Sequence, residues 1–102
     1  MGGGQSRAPL TPEQLSMVLM GANMRLQQTQ SQHGGQPHEE IALCYQNLGE
    51  CHNQGAQYDE ALRYYALALE MFAATVGERH TYYQRCKKAV DAATTAAEKS
   101  KS

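Results

Sequence analysis

The chain has 102 residues, 41% hydrophobic and 7% aromatic, enough for one small domain with a modest core. Nine Lys and Arg against ten Asp and Glu give a net charge of -1, which argues against nucleic acid as a partner, since a basic stripe is the footprint expected there. No apolar run is long enough to cross a membrane, and an odd number of cysteines, three, without a secretory hydrophobic segment points to reduced thiols in a reducing compartment.

Residues 1-10 carry no packing pattern and read as a flexible leader. Met1-Gly2-Gly3-Gly4-Gln5-Ser6 also fits the N-myristoylation pattern, with Gly2 freed by removal of the methionine, small uncharged residues behind it and serine at position 6. Both readings stand, a plain glycine-rich leader or a lipidation signal at Gly2. A single acyl chain binds a membrane marginally, and no nearby cysteine or polybasic run supplies a second anchor. The expected location is cytoplasmic, with weak membrane association where Gly2 is acylated.

From Thr11 onward the chain reads as an all-α domain, 11-98, with a short tail at 99-102. The spacing predicts helices at about 12-32, 38-54, 57-76 and 79-98. Thr11-Pro12-Glu13-Gln14 is a capping box with proline at the first helical position, where its missing N–H costs nothing. His33-Gly34-Gly35 ends the first helix, and Pro37 with Glu39 and Glu40 opens the second with charge suited to its positive end. Gln54-Gly55-Ala56-Gln57 supplies the next turn and Gly77 ends the third helix.

Apolar residues recur at helical spacing in the last three segments: Ile41, Cys44, Tyr45, Leu48 and His52; then Tyr58, Ala61, Leu62, Tyr65, Ala68, Leu69 and Phe72; then Tyr82, Cys86, Ala89, Val90, Ala93 and Ala97. Two helices approach closely only where small residues face each other, and Gly49 and Ala61 are the candidates. No strand pattern competes.

The order Tyr45, Leu48-Gly49, His52, Ala61, Tyr65, Ala68 resembles the tetratricopeptide repeat. Two departures stand out: the turn glycine, Gly55, comes one place early, and Ala73 stands where a proline often closes the unit. A shift of 42 residues lays Gly35-Gln36-Pro37-His38 on Gly77-Glu78-Arg79-His80 and Cys44 on Cys86, a Gly-x-x-His corner similar to the extended repeats of the kinesin light chain type. The same shift carries Ala61, Leu62 and Ala68 back onto Leu19, Met20 and Leu26. The resemblance implies antiparallel helix-turn-helix units in a short right-handed superhelix, with a central repeat at 42-75 between degenerate flanking helices. It further implies a non-catalytic adaptor or scaffold that binds a protein or peptide. In that family the concave face is lined by the first helix of each pair, which carries the partner-binding role to Leu43, Gln46, Glu50 and Asn53. The basic clamp for C-terminal carboxylates is absent, and Glu50 would repel such a group.

The stretch from Gln57 to Phe72, followed by Gln84-Arg85-Cys86, also resembles the microtubule-interacting and trafficking domain, a three-helix bundle that binds helical tails of membrane-remodelling proteins. A further alternative is a structural subunit of a larger assembly, cytoskeletal or flagellar, or a homo-oligomer, docking through helix faces 15-26 and 82-97. Solenoids this short gain stability from neighbours.

No enzyme, cofactor or metal is expected. Cys51 and His52 point about 100 degrees apart on a helix and cannot share an ion, and neither CxxC nor HxxxH spacing occurs around them or around His80 and Cys86. None of His33, His38, His52 and His80 adjoins a nucleophile motif, and no phosphate loop is present.

Overall fold

The computed structural model describes residues 9-101, so residues 1-8 of the leader, and with them the lipidation signal at Gly2, lie outside the described residues. Four helices follow one another: α1 (Pro12–Gln32), α2 (Glu39–Gln54), α3 (Tyr58–Thr75) and α4 (Thr81–Lys101). No strand occurs among the described residues. Substantial contacts join α1 to α2, α2 to α3 and α3 to α4.

Helix α1 starts as its sequence dictates. The Gln14 N–H donates to Thr11 Oγ1 at 3.1 Å, and Gln14 Oε1 accepts the Thr11 N–H at the same distance. Ahead of it, the Leu10 N–H donates to the Gln54 carbonyl at 2.9 Å, tying the entry of α1 to the end of α2. Helix α4 runs to Lys101, three residues beyond the expected end, and its last turn holds Lys99 and Lys101, the charges that suit a helix C-terminus.

The core has two parts. Ala42, Ala61, Tyr65, Ala68, Phe72, Cys86 and Ala93 form one cluster between α2, α3 and α4, and Leu15, Ala22, Leu48 and Cys51 form another between α1 and α2. Tyr45 packs against both and joins them. Phe72 is fully buried, a burial that contributes roughly 1.5–3 kcal/mol. Tyr45, His52, Tyr58, Leu62 and Leu69, expected on the core faces, are half-buried. Leu19 and Leu26 pack on the α1–α2 cluster, whereas Met20 turns outward and is 64% exposed.

Glycine is used here for room. A Cβ at Gly49 would stand 2.7 Å from the Tyr65 ring, so α2 and α3 approach closely because an aromatic face lies where a side chain would be. A Cβ at Gly55 would stand 2.6 Å from Leu15. Gly55 therefore does not serve as the left-handed turn residue. Its φ is -89, and the left-handed place falls on Ala56 at φ 60. The turn glycine is displaced because the packing of α1 claims it.

Candidate functional site

Each Gly-x-x-His corner places its histidine immediately before a helix. At the first, Gly35 takes φ 77 and His38 Nδ1 accepts the Glu40 N–H at 3.0 Å. At the second, Gly77 takes φ 94 and His80 Nδ1 accepts the Tyr82 N–H at 3.0 Å. The sequence repeat thus corresponds to a repeated device: a reversal only glycine adopts cheaply, then an imidazole that satisfies one of the free N–H groups of the helix. Histidine is an unusual cap, and for this reason the role was not legible from residue type.

Of the four residues assigned to partner binding, Leu43 and Glu50 are exposed, and Gln46 and Asn53 are half-buried. Asn53 Oδ1 is buried and accepts no hydrogen bond. Two hollows of about 220 and 380 Å³ lie between α1 and α2 and share Arg25 and Asn47, so they form one groove along the two helices. Leu43, Cys44 and Glu40 line one end, and Val18, Gly21, Cys51 and Gln54 the other. Only Leu43 of the four assigned residues lines this groove; Gln46, Glu50 and Asn53 do not. Asn47 and Gln54, which do, lie four and eleven residues beyond Leu43, the spacing of one helix face.

The thiols are buried in this structure, and none forms a disulfide. Burial, with the Glu50 carboxylate adding to it, pushes the Cys86 thiol up to about 11 from 9.0 and raises that of Cys51. The same burial and charge push the Tyr65 hydroxyl up to about 12. A thiol held protonated is a poor nucleophile. The Cys86 thiol instead donates to the Tyr65 carbonyl at 3.7 Å, within the α3–α4 packing.

Two further features were missed by sequence spacing. Met17, Met20 and Met24 form an exposed row along α1, at 74%, 64% and 56% exposure. At the α1–α2 corner His33, His38 and Glu40 come together, with one donor atom from each within 4.8 Å of the others. His33 Nε2 lies 2.7 Å from Glu40 Oε1, His38 Nδ1 lies 3.9 Å from the same oxygen, and the two imidazoles stack at 3.7 Å. Separations of five and two residues are not helical registers. They meet because Gly34 and Gly35, at φ 59 and 77, fold the chain back. His52 is engaged elsewhere, stacked on Tyr64 at 5.4 Å with Nδ1 2.7 Å from Gln57 Oε1.

No protein-family model, curated protein or solved structure matches the chain.

Proposed function

We propose that the chain is a non-catalytic protein-interaction module, an adaptor or scaffold subunit of tetratricopeptide type, that receives a segment of a partner protein along α2. The observation that carries this reading is the groove between α1 and α2 with the apolar Leu43 on its lip. Such a surface offers an apolar anchor point beside the amides of Asn47 and Gln54, which can hydrogen-bond a peptide backbone. Arg25 and Glu40, opposite charges in the same hollow, suit a segment carrying both signs better than a uniformly charged one. The repeated His-capped corner supports an internal repeat, and α1 packed on α2 adds a helix for which a three-helix trafficking bundle has no place.

The test is affinity purification of the tagged chain from its source cells beside a Leu43→Asp, Asn47→Ala variant, with circular dichroism to verify that the variant is folded. The expected result is a near-stoichiometric partner captured by the parent chain and lost with the variant. Undiminished capture by the folded variant would remove the groove from consideration. The methionine row on α1 favours a second reading, a subunit that docks through α1, because apolar side chains exposed in series are unusual on a free helix. In that case Met17→Lys, Met24→Lys abolishes capture, and Leu43→Asp does not.

A further inference from the structure

The two corners share their glycine and their capping histidine, and they differ in what surrounds the cap. Shifting by 42 residues, His33 corresponds to Thr75 and Glu40 to Tyr82. At the second corner Thr75 Oγ1 donates back to the Met71 carbonyl at 2.8 Å, and the Tyr82 ring packs against Phe72 at 5.7 Å. The cap and the reversal are therefore built without a second imidazole or a carboxylate. At the first corner both are present and converge with His38. We propose that His33, His38 and Glu40 form a binding site for a divalent transition-metal ion of the zinc class.

Two imidazole nitrogens and one carboxylate oxygen are the donor set that borderline cations such as Zn²⁺, Co²⁺ and Ni²⁺ take, with one position left to water. Bonds of about 2.0–2.1 Å to a tetrahedral ion set its ligand atoms roughly 3.3 Å apart. The His33–Glu40 separation of 2.7 Å and the His38–Glu40 separation of 3.9 Å lie on either side of that distance, so each changes by about 0.6 Å.

The imidazole planes are now 11° apart. An ion bonded in the plane of each ring cannot lie in two near-parallel planes, so the stack fans open when the ion enters. The surroundings permit this. Gly34 and Gly35 have open space where a side chain would be, and the side chains of His33, His38 and Glu40 are 23%, 39% and 57% exposed. If the ion takes His38 Nδ1, it displaces the Glu40 N–H from that atom, so occupancy is coupled to the first turn of α2. Glu40 also lines the groove, so a cation bound to its carboxylate changes the charge at that end.

The test uses the full chain, stripped with chelator and titrated with Zn²⁺ by calorimetry and with Co²⁺ by visible spectroscopy. The expected result is one equivalent bound, a Co²⁺ spectrum without a thiolate charge-transfer band, and a melting temperature that rises with Zn²⁺. Glu40→Gln and His33→Ala should each weaken binding at least about tenfold. His38→Asn should do the same, because asparagine keeps the cap while removing the imidazole. His80→Asn, at the corner without the other two donors, should bind as the parent does. Circular dichroism of the metal-free variants separates lost binding from lost folding. The proposal is overturned by no saturable binding below about 1 mM, by a thiolate band, or by binding unchanged in a folded His33→Ala, His38→Asn variant.

Discussion

The corner before α2 and the corner before α4 begin from the same four-residue pattern and the same imidazole cap, yet the first gathers polar donors and the second gathers apolar packing. At the first, His38 stacks on His33 beside a carboxylate; at the second, His80 lies 4.7 Å from Tyr82, which leans on Phe72 of the core. The comparison separates what the reversal requires, a glycine and a cap acceptor, from what each site adds. Both corners meet the requirement, the first with Gly34 as a second glycine at positive φ, so the additions are where function has room to differ.

Four measurements sharpen or break this comparison. The largest effect is expected on the α4 side in alkali. Cys86 and Tyr65 are pushed up by burial and then by Glu50, so the unfolded chain loses these protons before the folded one. Stability is therefore full below pH 9.0 and falls as pH rises toward about 11 for the thiol and about 12 for the tyrosine. Denaturant titrations across that range should show the fall, and Cys86→Ala should reduce the part that begins at pH 9.0, to which Cys51 also contributes. A flat profile would contradict the buried placement of both groups.

Next come the glycines. Gly35→Ala and Gly77→Ala should each cost about 1–3 kcal/mol, because a side chain is strained at positive φ whatever space surrounds it. Gly77, at φ 94, should cost more than Gly35, at φ 77. Equal stability of either variant with the parent would mean that the corner can close by another route.

The caps follow. His38→Ala and His80→Ala should each lose about 0.5–2 kcal/mol and their asparagine counterparts most of that much less, read from denaturant midpoints without metal. A loss at only one of the two would break the equivalence of the corners. The smallest change is a gain: Ala56→Gly, at the left-handed position of the α2–α3 turn, should stabilise by about 0.5–1 kcal/mol, strain relief being partly offset by a freer unfolded chain. A loss of stability would show that the Ala56 methyl group contributes a contact that outweighs its backbone strain.

Much of the architecture was legible because helix ends are written locally. Thr11-Pro12-Glu13-Gln14, the Gly34-Gly35 pair and Gly77 each mark a boundary through the backbone chemistry of a few neighbours, and the expected and observed helices differ by at most three residues at any end. Gly55 was misread because its role is set by Leu15, forty residues earlier, and not by the turn. Asn47 and Gln54 line the groove but hold no place in the repeat resemblance, which carried the partner-binding role to the neighbouring Gln46 and Asn53. The His33–His38–Glu40 cluster had no sequence signature, since metal motifs are read at helical or hairpin spacing and these residues meet across a left-handed reversal.

Among the described residues, substantial contacts between helices link only neighbours in sequence. A chain whose contacts are local closes short loops and is expected to fold fast, and each helix can dock on its predecessor as it emerges during synthesis. The same succession leaves α1 and α4 each held along one side, so amide exchange should open from the two outer helices inward and reach the α2–α3 pair last. The molecule is then graded, firm at its centre and yielding at its edges, and the corner and groove that α1 forms with α2 lie on the yielding side.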